Sequence, residues 1–201
     1  MDYNQGYLEL FLGGVRSGKS SSGLRMYRHY NGLGRFKPVV AIPEEWIRPD
    51  DPVFNLSDNR NVNILKVKTD STIEQLVEEL TPYNVIVIDE CQFYPHLKAV
   101  VLQLLDQKKR IYLCGLDGDI NGKPMGETLL LIFYANKTHK MCGDCIRCEE
   151  SNYPIIQPAT MSMLRNSETV TETNDDGVVT KIGGLETFDP VCYYHYRLGN
   201  Q

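Results

Sequence analysis

Short apolar runs alternate with stretches of helical periodicity over the first 140 residues of the chain. The runs typical of strands buried on both faces are 8–12, 38–42, 63–67, 84–90 and 111–116, and the stretches that favour helices are 20–30, 71–80 and 96–110. In the second of these helices we expect Ser71 to be the N-cap and Glu74 to complete a capping box. Strands that alternate with helices predict an α/β fold with a parallel sheet covered by helices on both faces.

The pattern changes after residue 140, where cysteines cluster and the regular alternation of strands and helices ends. A polar stretch follows at 165–184, and its Asp-Asp-Gly sequence predicts the turn of a hairpin or loop. We therefore expect a main domain over 1–140 and a small subdomain over 141–201. Within the main domain, the Pro-, Asp- and Asn-rich stretch 43–63 predicts a long loop.

Composition and charge narrow the classes of function. The net charge of −5 gives no general attraction to nucleic acid or to anionic membranes. No apolar stretch approaches the roughly 18 residues of a membrane-spanning helix, and the N-terminal sequence lacks the pattern of a secretory signal. Because three of the six cysteines are spaced as in metal sites, we expect a reduced, soluble, cytoplasmic protein with no membrane or nucleic-acid partner.

A glycine-rich loop follows the first apolar run and matches the pattern G-x-x-x-x-G-K-[ST]. Its residues are Gly13, Gly14, Val15, Arg16, Ser17, Gly18, Lys19 and Ser20. Glycines let successive backbone N–H groups point at phosphate oxygens, the lysine supplies charge at the β- and γ-phosphates, and the serine hydroxyl can ligate Mg²⁺. A Gly/Ser turn could match this pattern by chance, but the position between a strand and a helix favours a P-loop that binds ATP and Mg²⁺.

Two acidic residues, Asp89 and Glu90, end the strand predicted at 84–90. Nucleotide sites with a P-loop take a second acid from a neighbouring strand end to hold the metal, which is the role we expect for Asp89. Glu90 then remains to accept a proton from a hydroxyl or from water. The alternative is a solvated acidic strand end without a function.

The cysteines predict a zinc site in the last 60 residues. Cys142, Cys145 and Cys148 are spaced by two residues each, and Cys192 and His195 form a second pair with the same spacing. Two such pairs separated by a hairpin-like stretch are typical of a tetrahedral structural Zn²⁺ site, although three cysteines compete for two places in the first pair. A redox-active C-x₂-C pair is the alternative. Cys91 and Cys114 lie in or beside predicted strands, so we expect core thiols there.

Several of these segments together resemble the thymidine kinases of the type related to the vertebrate cytosolic enzyme. The resemblance covers most of the chain and rests on "GGVRSGKSS", "IDECQF", "LDGDINGKPMGE", "CIRC" and "KIGGLETFDPVCYYHY" in that order. It implies an α/β fold with a P-loop (RecA-like) parallel sheet and a zinc-ribbon subdomain. It also implies an ATP-dependent deoxynucleoside kinase that phosphorylates the 5′-hydroxyl of thymidine, with Glu90 as the base.

The same resemblance assigns further roles by position. Lys19, Ser20 and Asp89 serve the donor phosphates and Mg²⁺. The residues it places at the nucleoside are Phe93, Ile120, Met125, Ile182, Gly183, Gly184 and Phe188, and its zinc ligands are Cys145, Cys148, Cys192 and His195. The family is commonly tetrameric, so the resemblance implies a homotetramer.

Three other functions compete with thymidine kinase. Ile120 and Met125 stand where the family usually has phenylalanines, and Val15-Arg16 where it has a Met-Phe pair, which leaves room for another deoxynucleoside. A zinc-ribbon ATPase acting on nucleic acid is a second alternative, but 201 residues leave no room for a second motor domain. A regulator with a degenerate nucleotide site is disfavoured, because Lys19, Ser20, Asp89 and Glu90 are all present.

Overall fold

A parallel sheet forms the centre of the computed structural model, which describes residues 5–46, 62–165, 173 and 187–199. Its six strands are β1 (Tyr7–Gly13), β2 (Pro38–Pro43), β3 (Ile64–Val67), β4 (Val85–Ile88), β5 (Arg110–Gly115) and β6 (Lys137–Met141). They lie in the order β3-β2-β4-β5-β1-β6, and every neighbouring pair is parallel. The predicted α/β class is therefore confirmed.

Helices cover both faces of this sheet because its central strands are apolar on both sides. The helices are α1 (Lys19–Gly32), α2 (Ile73–Leu80) and α3 (Leu97–Asp106). Leu8, Leu10 and Leu12 of β1 point to the face covered by α2 and α3, whereas Phe11 packs with Leu24 and Tyr27 of α1. Cys91 and Cys114 are fully buried, as predicted for core thiols.

Two predicted helix boundaries are wrong. The capping box of α2 uses Thr72 and Gln75 rather than Ser71 and Glu74: Thr72 Oγ1 accepts from Gln75 N at 3.3 Å, and Gln75 Oε1 accepts from Thr72 N at 2.8 Å. A start one residue later is compatible with the burial of Leu76 and Leu80, one turn apart, in the core. Helix α3 ends at Asp106 instead of 110, since Arg110 already belongs to β5.

Some elements have no counterpart in the sequence pattern. Strand β6 is the polar sequence KTHKM and is mostly exposed, so it lacks the apolar run by which the other strands were recognised. It pairs with β1, and His139 Nε2 lies 2.7 Å from Glu9 Oε1. Among the described residues there are also 3₁₀ helices at Glu44–Trp46, Cys91–Phe93 and Thr128–Tyr134.

The C-terminal part has its own small core. Strand β7 (Gly143–Asp144) pairs with β8 (Pro158–Ala159), β9 (Met161–Leu164) pairs with β10 (Phe188–Val191), and the helices are α4 (Ile146–Glu150) and α5 (Tyr193–Gly199). Three cysteines, Ala159 and Val191 are buried together there, apart from the two cores of the main sheet. Most of the hairpin predicted at 165–184 and of the loop predicted at 43–63 lies outside the described residues.

Candidate active site

The predicted phosphate-binding loop joins β1 to α1 at the carboxyl edge of the sheet, where open α/β sheets bind their ligands. Gly18 has a φ of 81° at the residue before α1, in the left-handed region that favours glycine. A Cβ on Gly13 would lie 2.0 Å from the carbonyl oxygen of Met141, so the backbone passes too close to β6 for any side chain. Glycine at both positions is therefore required by the path of the loop.

Lys19 is buried at the start of α1, beneath this loop. Its Nζ donates to the carbonyl oxygen of Gly14 at 2.6 Å and lies 3.3 Å from Ser17 Oγ. Burial lowers the pKa of the Lys19 ammonium below its usual value, while the carboxylates of Glu90 and Asp89 oppose that shift. The loop thus holds a positive charge against its own backbone, where an anionic ligand would meet it.

Asp89 follows β4 and faces the same helix. Its Oδ1 accepts a hydrogen bond from Ser20 Oγ at 3.0 Å, and its backbone N–H donates to the carbonyl oxygen of Ala41 at 2.9 Å. Burial, together with the neighbouring charge of Glu90, raises the pKa of Asp89 to about 7. A hydroxyl and a carboxylate oxygen are the hard ligands that Mg²⁺ prefers, so the donor set suits that ion.

Glu90 stands at the turn between β4 and the 3₁₀ helix Cys91–Phe93. Its backbone adopts φ 50° and ψ 40°, which is uncommon for a residue with a side chain and directs it out of the strand. Gln92 Nε2 donates to Glu90 Oε2 at 2.7 Å, and Gln92 Oε1 accepts from the backbone N–H of Leu116 at 3.0 Å. Two buried segments therefore fix the position of this carboxylate.

An open cleft begins at Leu116, the residue whose backbone N–H bonds to Gln92. Its walls are Val15, Leu116, Gly118, Asp119, Ile120, Met125, Ser162 and Phe188. Three of the predicted nucleoside residues, Ile120, Met125 and Phe188, are thus brought together. Their apolar side chains line the cleft beside the polar Asp119 and Ser162, a combination typical of sites that bind small molecules.

The other predicted nucleoside residues have different positions. Phe93 is absent from the walls of this cleft and stacks on Trp46 instead, with ring centroids 3.8 Å apart and planes within 8° of parallel. Ile182, Gly183 and Gly184 lie outside the described residues.

Cys145, Cys148, Cys192 and His195 bring their ligand atoms within 4.8 Å of one another. His195 Nδ1 lies 3.4, 3.6 and 3.4 Å from the sulfurs of Cys145, Cys148 and Cys192, and the last two sulfurs are 3.9 Å apart. In a tetrahedral Zn²⁺ site with bonds of about 2.3 Å to sulfur and 2.0 Å to nitrogen, two ligand sulfurs lie roughly 3.8 Å apart and a sulfur and a nitrogen roughly 3.5 Å apart. The residues present therefore fit zinc.

The structure also shows which two of the three N-terminal cysteines of the cluster motif lie near Cys192 and His195. Cys142 is exposed and does not belong to the cluster, so the structure groups Cys145 and Cys148 with the second pair. Although burial opposes it, hydrogen bonds from the backbone of Cys192 and Cys148 and from His195 lower the pKa of the Cys145 thiol to about 7. A lowered pKa favours the thiolate that metal binding needs.

The C-terminal part of the chain, which carries the cysteine cluster, also contacts the glycine-rich loop and the cleft. Tyr196, next to His195 in α5, donates from its hydroxyl to the carbonyl oxygen of Ile120 at 2.8 Å. Ser162 of β9 accepts from the backbone N–H of Val15 at 3.2 Å. Sequence reasoning missed both residues, because each contact joins segments more than 70 positions apart.

Gln92 and Trp46 were also missed as parts of the site. Gln92 was visible only as one letter of "DECQF", and Trp46 carried no signal beyond being the single tryptophan of the chain. Within the described ranges, no helix combines the length and apolarity needed to cross a membrane.

Comparisons with known proteins identify a single family. The family model described as Thymidine kinase matches residues 6–196. Thymidine kinases of Variola virus and of Vaccinia virus (strain Western Reserve) are each 26% identical over 189 residues, covering 94% of this chain and 96% of theirs. The thymidine kinase of Mycoplasmoides gallisepticum is 26% identical over 207 residues, covering all of this chain and 85% of its own.

The family match spans almost the whole chain, including the phosphate-binding loop, the two acids and the cysteine cluster. The chain therefore belongs to the thymidine kinase family and is a kinase.

Proposed function

We propose that this protein transfers the γ-phosphoryl group of ATP to the 5′-hydroxyl of thymidine, giving dTMP and ADP. One observation carries the proposal beyond family membership: the two adjacent acids are bonded to two different segments of the site. Asp89 accepts from Ser20 of the phosphate-binding loop, whereas Glu90 is linked through Gln92 to Leu116 in the wall of the cleft. This arrangement suits a phosphoryl donor, ATP, near Asp89 and a phosphoryl acceptor, the nucleoside, near Glu90.

On the donor side, backbone N–H groups of the loop Gly13–Ser20 and the ammonium of Lys19 would hold the phosphates of ATP. Ser20 and Asp89 would hold Mg²⁺, which neutralises developing charge on the β- and γ-phosphates when it is bound. Lys19 contacts Gly14 within the loop, so its charge is already positioned before ATP arrives. Such preorganisation reduces the rearrangement needed when the phosphoryl group is transferred.

On the acceptor side, Glu90 would receive the proton of the 5′-hydroxyl. The nucleoside oxygen then forms its bond to the γ-phosphorus as the bond from that phosphorus to the β,γ-bridging oxygen breaks, and ADP leaves. The bond from Gln92, which is also tied to Leu116 in the cleft wall, supports this role for the Glu90 carboxylate. Positioning of the two reactants and a general base together account for the rate enhancement of such enzymes.

The nucleoside base would lie in the cleft between Met125 and Phe188, with Ile120 in the same wall. A Met side chain adapts to a flat ring, and a Phe ring can stack on it. Phe93, supported by Trp46, would border the nucleoside from outside the cleft walls. Another deoxynucleoside is the second candidate, since Ile120 and Met125 make the wall less aromatic than in the family pattern.

The remaining features complete the proposal. One Zn²⁺ on Cys145, Cys148, Cys192 and His195 would stabilise the subdomain 141–201 without taking part in the chemistry, because four protein ligands leave a tetrahedral ion no open position. From the resemblance to the family we also infer a homotetramer located in the cytoplasm.

The role of Glu90 is tested by Glu90→Gln. We expect a folded protein that binds ATP but whose kcat for thymidine is about 10²- to 10⁴-fold lower, because an amide cannot accept the proton. Glu78→Gln, an exposed residue of α2, is the matched control and should behave as wild type. An unchanged kcat in Glu90→Gln would exclude the proposed base.

A further inference from the structure

Gln92 is a polar side chain with only 5% of its surface exposed, and both ends of its amide are engaged. Nε2 lies 2.7 Å from Glu90 Oε2, and Oε1 lies 3.0 Å from the backbone nitrogen of Leu116. The Leu116 N–H can only donate, so the group that faces it must be the amide oxygen. The NH₂ group is therefore the one that faces Glu90.

The backbone around Gln92 is built closely against it. A Cβ on Gly115 would lie 2.7 Å from Gln92 Oε1 and 2.4 Å from Cys91 Sγ. A Cβ on Gly126 would lie 2.3 Å from the carbonyl oxygen of Gln92. Glycines on two separate segments thus leave the space that this residue fills, and they leave it little freedom to shift.

Glu90 needs such a restraint. Its side chain has three rotatable bonds and is only partly buried, and its backbone lies in the left-handed region at the end of β4. A carboxylate free to rotate would present its oxygens in many orientations, and catalysis by a base depends on a narrow range of geometry. A hydrogen bond to Oε2 fixes the plane of the group and leaves Oε1 to meet the substrate.

We propose that Gln92 is a positioning residue for phosphoryl transfer: its NH₂ group holds Oε2 of Glu90, and its carbonyl ties that carboxylate to the Leu116 wall of the cleft. This inference rests on the proposed role of Glu90 as the base. Gln92 acts through Glu90, with no contact of its own to the reacting atoms required.

The test is a double-mutant cycle measured with thymidine and ATP-Mg. Gln92→Met keeps the volume of the side chain and removes both hydrogen bonds. We expect kcat to fall at least about tenfold, with the KM for ATP within about twofold of wild type, because the loss affects geometry at the acceptor side. Thr128→Val is the matched control. Thr128 is buried like Gln92, and its hydroxyl lies 3.7 Å from the sulfur of Cys91, the residue that precedes Gln92. It should leave kcat within about twofold of wild type, since it removes no contact to Glu90.

The cycle separates positioning from general support of the fold. If Gln92 acts through Glu90, adding Gln92→Met to Glu90→Gln should change kcat by less than about twofold. The inference would be overturned if Gln92→Met lowered kcat by the same factor in the wild-type enzyme and in Glu90→Gln. A kcat of Gln92→Met close to wild type would also overturn it. An active Glu90→Gln enzyme would instead refute the proposed base, so the two failures are distinguishable.

Gln92→Glu is a second variant in case Gln92→Met does not fold. Its carboxylate still offers an acceptor to the Leu116 N–H and has the same length, but it replaces the donor facing Glu90 with a second acceptor. We expect a folded protein with a kcat at least about tenfold below wild type. Wild-type turnover in this variant would show that the donor to Glu90 is not required.

Discussion

Helix α1 carries Lys19 and Ser20 at its start, and its distance from the sheet depends on a glycine in its second turn. The structure predicts that Gly23→Ala is destabilising, although alanine is the better helix former. A Cβ at this position would lie 2.6 Å from Cys114 Sγ and 2.8 Å from Val87 Cγ1, both in buried strands beneath the helix. Ordinary contacts between such atoms are about 3.5–4.0 Å, so the helix or the strands must move.

The size of the effect follows from two opposing contributions. Replacing an interior glycine by alanine stabilises a helix by about 1 kcal/mol, while overpacking a filled core costs about 1–3 kcal/mol. With two buried atoms in the way, we expect the upper part of that cost and a net loss of about 1–2 kcal/mol in the free energy of unfolding. Moving α1 would also displace Lys19 and Ser20, so the KM for ATP should rise.

Gly32→Ala provides the control within the same helix. Gly32 is the last residue of α1, and nothing lies within 4 Å of a Cβ placed there. This variant should be between neutral and about 1 kcal/mol more stable. Urea unfolding of the zinc-loaded protein, followed by circular dichroism, should therefore separate the two variants by about 2 kcal/mol.

Cys114→Ala should partly rescue Gly23→Ala because it removes the closer of the two obstructing atoms. The coupling between contacting sites is typically about 0.5–3 kcal/mol, and here it should be favourable. If Gly23→Ala proves as stable as Gly32→Ala, close packing is not the reason for glycine at this position.

Three further predictions concern the metal site, the cleft and the buried acid. Cys145→Ser should lose zinc by elemental analysis while Cys142→Ser, at an exposed cysteine, keeps it; the reverse result would reassign the ligands. Tyr196→Phe removes the bond to the carbonyl of Ile120, so the KM for thymidine should rise about fivefold, the value of one net hydrogen bond, with the KM for ATP unchanged. Tyr193→Phe, exposed on the same helix, should have no effect, and equal changes in both variants would contradict the assignment. The folded pKa of Asp89, raised from 3.8 to about 7, means that the folded state keeps a proton that the unfolded chain has lost, so stability falls as pH rises between these values. Without Mg²⁺ and nucleotide, Asp89→Asn should therefore unfold at a higher temperature than wild type at pH 8 and lose this advantage towards pH 4; a constant difference would refute the buried-acid assignment.

The sheet and the glycine-rich turn at 13–20 were predictable because each is encoded in a short stretch of sequence, while phosphate binding by that turn stays a prediction. The runs at 8–12 and 84–90 are too apolar to be stable anywhere but between two layers, and the pattern around Lys19 fixes its own geometry. Strand β6 was not predictable, since its polar residues belong to a sheet only through pairing with β1. The capping box failed by one residue because Ser71 and Thr72 can both cap, and packing of Leu76 decides between them.

The candidate site likewise contains residues that the sequence could indicate and residues that it could not. Roles for Asp89, Glu90 and the cysteine–histidine cluster could be predicted because their residue types and spacing are restricted by chemistry; the structure groups the four metal-binding candidates, and the roles of the two acids stay predictions. Ser162 and Tyr196 could not, as an ordinary hydroxyl becomes part of a site only when the fold brings a distant partner to it. Gly23 lowers the helix propensity of the sequence, and only the structure shows that a side chain there would meet Cys114 and Val87 of the sheet.

Phosphoryl transfer from ATP-Mg to a panel of the four deoxynucleosides and their ribose counterparts is the measurement with which to begin. The proposed roles of Glu90 and Lys19 predict a labelled 5′-monophosphate, and membership of the thymidine kinase family predicts that thymidine is preferred over every other nucleoside. Preference for a different deoxynucleoside would retain the chemistry and transfer the specificity to Ile120 and Met125. Hydrolysis of ATP without phosphorylation of any nucleoside would show that Glu90 activates water, and would contradict the proposed kinase reaction.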